Sequence, residues 1–113
     1  MLNFDLDTER QGNSALIRVR GDLDIQVAEQ VANALTELEA TEPDLLVIDL
    51  SRLSFMDSTG MAVIAASHAR AVDAKRELAI VKPPAGVRQA FEVSGFDKVA
   101  NVVDDLASVY HSR

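Results

Sequence analysis

The sequence predicts an α/β fold: a small mixed β-sheet, opening with an antiparallel hairpin and continuing with parallel strands, with helices packed against it. Three observations predict it. Leu2, Phe4 and Leu6 alternate with Asn3, Asp5 and Asp7, and Leu16-Ile17-Arg18-Val19-Arg20 follows across the turn residues Gln11-Gly12-Asn13-Ser14. Two runs of this kind joined by so short a turn make a hairpin. Leu45-Leu46-Val47-Ile48 and Leu78-Ala79-Ile80-Val81 are short and wholly apolar, the pattern of strands covered on both faces. Between the strands apolar residues recur at helical spacing, and strands separated by helices need parallel crossovers.

Each element follows from local chemistry. Gly21-Asp22-Leu23-Asp24 ends the second strand, and Asp24 is placed to cap a helix whose stripe is Ile25, Ala28, Val31, Leu35 and Leu38. The same four residues read two ways: a turn plus a cap, or two carboxylates flanking an exposed Leu23 as part of a docking surface. Pro43-Asp44 breaks the chain before the central strand, which Asp49 is expected to end, its carboxylate bonding within the following loop. Met61, Ile64, Ala65, His68 and Val72 then mark an alanine-rich helix that closes on basic residues by Arg76. Lys82-Pro83-Pro84 ends the next strand, Pro84 opens a helix through Ser94, and Gly95 suits its C′ position. Phe96 to Ala100 reads as extended. Val102 or Val103, Leu106 and Tyr110 mark a last helix ending near His111, with Ser112 and Arg113 expected to fray.

Composition narrows the function. The 113 residues, 48% hydrophobic and free of repeats, are read as one folded domain over 1–113. A net charge of −7 repels phosphate backbones and argues against direct nucleic-acid binding. No apolar run approaches the ~20 residues of a membrane span, and no leader pattern opens the chain, so no membrane insertion is expected. Cysteine is absent, which removes disulfides and thiol chemistry. His68 and His111 have no ligand-like spacing to a carboxylate, so neither metal nor cofactor is expected. The expected setting is the cytoplasm.

The stretch that organises the chain is Leu50 to Met61, where Asp57-Ser58-Thr59-Gly60 opens a helix directly after a strand and loop. Read blandly, Asp57 or Ser58 caps the first turn, and Gly60 leaves the hydroxyls unshielded. Read functionally, Ser58 is placed to accept a phosphoryl group, which a helix N-terminus holds without strain. A hydrolase built on Ser58 and His68 fails on geometry, because ten residues along one helix span about 15 Å and a nucleophile–base contact needs about 3 Å. No catalytic residue is assigned.

Three stretches together resemble the STAS domain family, and within it the single-domain anti-sigma factor antagonists of bacteria. They are Gly21-Asp22-Leu23-Asp24, Val47-Ile48-Asp49-Leu50-Ser51 and, above all, Phe55-Met56-Asp57-Ser58-Thr59-Gly60, joined by the Pro84-to-Gly95 helix and Phe96. The likeness runs from Phe4 to about Tyr110. It implies a regulated binding protein: an anti-sigma factor serine kinase phosphorylates the serine matching Ser58, the unphosphorylated form binds that kinase and frees the sigma factor, and a serine phosphatase resets the system. Carried over by position, Ser58 is the phosphorylation site, with neighbouring Thr59 as second choice. Asp22, Leu23, Asp24, Asp57, Thr59, Gly60 and Met61 are the partner-binding residues. The same family implies two alternatives without a phospho-switch: the STAS subunit of a lipid-transport ABC complex, holding its ATPase, and a component of a stress-signalling scaffold.

Overall fold

The computed structural model describes residues 3–111. In chain order the elements are β1 (Phe4–Gln11), β2 (Ser14–Leu23), α1 (Ala28–Ala40), β3 (Leu45–Met56), α2 (Ser58–Ala74), β4 (Glu77–Val81), α3 (Ala85–Ser94), a 3-10 turn (Phe96–Lys98), β5 (Asn101–Val103) and α4 (Leu106–His111). They build one sheet in the order β1-β2-β3-β4-β5. β1 runs antiparallel to β2, and every later pairing is parallel. The mixed sheet with a leading hairpin is thus as expected. Leu2, Ser112 and Arg113 lie outside the described residues.

The topology dictates where the core sits. Each crossover steps one strand in the same direction, and right-handed crossovers then stack α1, α2 and α3 on one face. Side chains alternate between faces, so Ile17 and Val19, Leu46, Ile48 and Leu50, and Ile80 point into that layer with Val31, Leu35, Ile64 and Phe91. The intervening residues Leu16, Leu45, Val47, Ala79 and Val81 pack on the opposite face under Val109 and Leu106 of α4. Both faces of the central strands are covered, which is why their sequences are continuously apolar. Beyond α4 that second face carries charge. Arg18 lies 3.1 Å from both Asp7 and Glu9, and Arg20 lies 2.7 Å from both Asp5 and Asp7. Charged side chains along β1 also blunt the exposed edge of the sheet.

Several boundaries differ from expectation. β3 does not end at Asp49 but runs to Met56. Register shifts opposite Val19 and between Gly21 and Asp22 let β3 keep pairing with β2 while it bends. Asp49 nevertheless bonds locally, accepting from the Ser51 amide at 3.0 Å and its hydroxyl at 2.7 Å. The buried stripe of α2 is Gly60, Ile64, Ser67 and Ala71, and Val72 is exposed. Spacing favoured the larger residues, but the face that packs closest is the one built of small ones. Val102 and Val103 belong to β5 and not to the last helix, and a 3-10 turn occupies part of the segment expected to be extended.

The polar group buried in that α2 face is answered from α1. Ser67 donates to Glu39 Oε2 at 2.7 Å, and Arg70 donates to Glu39 through Nε at 2.6 Å and Nη2 at 3.0 Å. Arg76 reaches back to the Pro43 carbonyl at 3.2 Å, so this basic residue serves the end of α1 rather than α2. Burial alone would raise the Glu39 carboxyl. The hydrogen bonds from Arg70 and Ser67 and the charges of Arg70 and Arg76 outweigh burial and hold it below its ordinary 4.5. Its folded-state pKa being depressed, the stability it contributes is complete above the unfolded value and is lost as pH falls through the folded one. Glu39→Ala, which strands the fully buried Ser67 hydroxyl, is expected to cost about 1–3 kcal/mol. In urea denaturation the gap between wild type and Glu39→Ala should be widest at neutral pH and narrow as pH drops below about 4.5.

Candidate functional site

Strands β2 and β3 end side by side, Leu23 paired with Met56. The Asp57 amide donates to the Leu23 carbonyl at 3.2 Å, and α2 begins at the next residue. Asp57 is the N-cap of α2, in extended backbone geometry. Its Oδ1 accepts from the Gly60 amide at 2.9 Å, and its Oδ2 accepts from the Ile25 amide at 3.1 Å. One carboxylate therefore satisfies an open donor of the helix start and ties that start to the turn before α1.

That turn is itself fully bonded. Asp24 Oδ1 accepts from the Gln26 amide at 3.0 Å, and the Asp24 carbonyl accepts from Val27 at 3.1 Å and Ala28 at 2.9 Å. Asp24 thus closes an Asx turn, and α1 starts later than expected, at Ala28 behind Val27. Ile25 consequently leaves the predicted buried stripe and stands 72% exposed. At the head of the turn Gly21 has φ +86°, and a Cβ there would lie 2.2 Å from the Asn3 carbonyl oxygen. The Asp22 amide donates to that same carbonyl at 2.7 Å, so the close approach requires glycine.

The residues singled out by sequence divide into a floor and a surface. Leu23 is not exposed: its side chain is fully buried in the main core, because β2 continues through it and turns it inward. Gly60 is buried too, and a Cβ on it would lie 2.6 Å from the Leu23 carbonyl oxygen and 2.7 Å from Leu23 Cγ. Gly60 is therefore small so that α2 can seat on β2, not to leave the hydroxyls unshielded. Above this floor Ser58 is exposed, and its hydroxyl bonds to no described residue. Thr59 and Met61 are half-buried, Met61 against the core. Asp22, Asp24 and Asp57 are half-buried, and residues 21–27 and 53–61 include three aspartates and no lysine or arginine.

Sequence reasoning missed Ile25 and the 50% exposed Phe55 as surface residues. The remaining stripe of α1, Ala28, Val31, Leu35 and Leu38, is complete without Ile25, and that was the available signal. His68 lies well along α2, half-buried, with its ring edge-on to Phe96 at 5.4 Å. Among the described residues no group of three or more metal-ligating side chains comes together, and no helix is long and apolar enough to cross a membrane.

The model of the family described as "Mlab, STAS domain" matches residues 6–104. The chain belongs to the STAS domain family. Among STAS relatives, the anti-sigma F factor antagonist of Paenibacillus polymyxa is 26% identical over 107 residues, covering 92% of this chain and 90% of that protein. The crystal structure of an anti-sigma factor antagonist from Mycobacterium paratuberculosis superposes with a TM-score of 0.86 at 24% identity, over 96% of this chain and 92% of that one. The anti-sigma factor antagonist SpoIIAA in its unphosphorylated form gives 0.81 at 21% identity, over 96% of each chain. The STAS fold therefore extends over nearly the whole sequence.

Two glycines of this STAS domain make a matched test of the floor. Gly60→Ala is expected to cost about 1–3 kcal/mol through overpacking against the Leu23 backbone. Gly86→Ala, where a Cβ meets nothing within 4 Å, should be neutral or stabilise by a few tenths to about 1 kcal/mol. Urea denaturation of the two variants beside wild type measures both.

Proposed function

We propose that this STAS domain, residues 1–113 acting as one unit, is an anti-sigma factor antagonist of the partner-switching kind. Its unphosphorylated form binds an anti-sigma factor serine kinase and so releases a sigma factor. Phosphorylation at Ser58 ends that binding, and a serine phosphatase restores it. The observation that carries this reading is the exposed, unbonded Ser58 hydroxyl on the first residue of α2, left free because Asp57 does the capping. Relatives named as antagonists over most of their length support it, as does a fold neighbour distinguished by its phosphorylation state.

The chemistry asks little of this chain. A kinase-bound nucleotide supplies the phosphoryl group: the Ser58 Oγ–P bond forms, the bond to the departing nucleoside diphosphate breaks, and the hydroxyl proton leaves to the kinase. The phosphate then lies at the positive end of a 17-residue helix, where unpaired amides and the dipole favour it. Its added charge of about −1.5 to −2 joins Asp22, Asp24 and Asp57 on one edge. A surface that matched basic groups on the partner becomes overcharged and blocked by bulk, with no refolding. Asp22, Asp24, Thr59 and Met61 flank the contact, while Leu23 and Gly60 support it from beneath. Thr59, half-buried, is the second choice of acceptor. On this reading the protein is a cytoplasmic regulator and not an enzyme, and His68 is engaged with Phe96 rather than with Ser58.

A second reading stays in view because the matching family model is described as Mlab and not as an antagonist: the STAS subunit of a lipid-transport ABC complex, with Ser58 a plain helix residue. Capture from native-host lysate separates the two. Wild type and Ser58→Ala should retain a serine-kinase anti-sigma factor that Ser58→Asp loses by about a hundredfold in affinity, or ~3 kcal/mol. An ABC ATPase held equally by all three would select the second reading.

A further inference from the structure

Beside the Ser58 surface lies an apolar groove that phosphorylation does not use. Phe55 and Met56, the last residues of β3, form one wall, and Val87, Gln89 and Val93 of α3 form the other, with Gly86 at the start of that helix. The space between them is about 370 Å³, and no residue lining it is charged. Phe55 is 50% exposed and Val93 80%. Two large apolar side chains turned to water across an uncharged cleft mark a contact surface more than a packing accident.

We infer that this groove receives one large apolar side chain, a leucine, methionine or phenylalanine, from the anti-sigma partner, on a segment that carries lysine or arginine toward Ser58. The inference rests on the function proposed above. Two features select the occupant. The groove wall runs directly into the acceptor, Phe55-Met56-Asp57-Ser58 being consecutive, so a protein seated over Ser58 also meets the groove. The charge pattern also changes along that line: the groove is neutral, whereas the adjoining edge holds Asp22, Asp24 and Asp57 with no basic residue among 21–27 and 53–61. An apolar knob with basic flanks matches both parts at once. A second copy of this chain, with net charge −7, brings like charge to the same edge.

The geometry also supplies variants that leave the core intact. Val93 is on the surface, and at Gly86 a new side chain has open space. The test is calorimetric titration of the anti-sigma factor captured by the wild-type protein, purified, against wild type, Phe55→Ala, Val93→Asp, Gly86→Leu and Ser58→Asp, with thermal unfolding as the folding control. Each groove variant is expected to keep its melting temperature and to lose about tenfold or more in affinity. If all three bind like wild type while Ser58→Asp does not, the groove assignment is overturned and the switch stands. If Ser58→Asp binds like wild type while the groove variants are weakened, the groove assignment holds and the switch fails. Recovery of no such anti-sigma factor overturns both. Ultracentrifugation showing a wild-type dimer that Val93→Asp disperses assigns the groove to a second copy and overturns the partner assignment.

Discussion

Both oxygens of the Asp57 carboxylate are committed, Oδ1 to the Gly60 amide and Oδ2 to the Ile25 amide, and the candidate site depends on that division. One bond finishes the first turn of α2. The other fixes the turn that leads into α1, a stretch more than thirty positions earlier in the chain. Beneath them the Leu23 carbonyl sits where a Cβ on Gly60 would have to go, so the two segments meet at backbone distance. A surface tied at both ends and packed from below is preorganised, and a partner binding it spends little on ordering loops. The capping by Asp57 also releases the neighbouring hydroxyl, since a serine that capped the helix would have its oxygen engaged.

The rest of the fold supplies the platform. Parallel strands β2 and β3 bring their C-terminal ends together, and the helix that starts there points its positive end outward. The Glu39–Ser67–Arg70 network joins α1 to α2 well along both helices from Ser58. Charge is distributed with the same economy. The ion-pair ladder of β1 and β2 balances acids with arginines, whereas the three aspartates of the Ser58 edge have no basic neighbour in either stretch.

Much of this was legible in the sequence, for physical reasons. Alternation in β1 and unbroken apolarity in β3 and β4 report one covered face and two, and the helical stripe of α1 reports its buried side. The position of Asp57-Ser58-Thr59-Gly60 at a helix start followed from the same patterns. What stayed hidden depended on long-range geometry. One reading of Gly21-Asp22-Leu23-Asp24 set Leu23 on the surface between two carboxylates, yet β2 keeps pairing through a register shift that spacing does not encode. Ile25 fitted the α1 stripe, but the Asx turn of Asp24 delayed the helix. Gly60 gave no sign of its purpose, since the atom it makes room for belongs to another strand. The small-residue face of α2 was likewise masked by larger apolar residues at neighbouring positions.

As proposed, phosphorylation at Ser58 changes a rigid surface and leaves the fold alone. The most direct measurement is the amide ¹H–¹⁵N spectrum of the protein carrying phosphoserine at position 58, set against the unmodified protein. Shifts confined to residues 21–27 and 55–62 are expected, with the amides of the rest of the sheet and of α3 and α4 unmoved. Shifts spread through β3, β4 and α3, or loss of dispersion, would contradict that proposal, because the switch would then work by rearranging the domain.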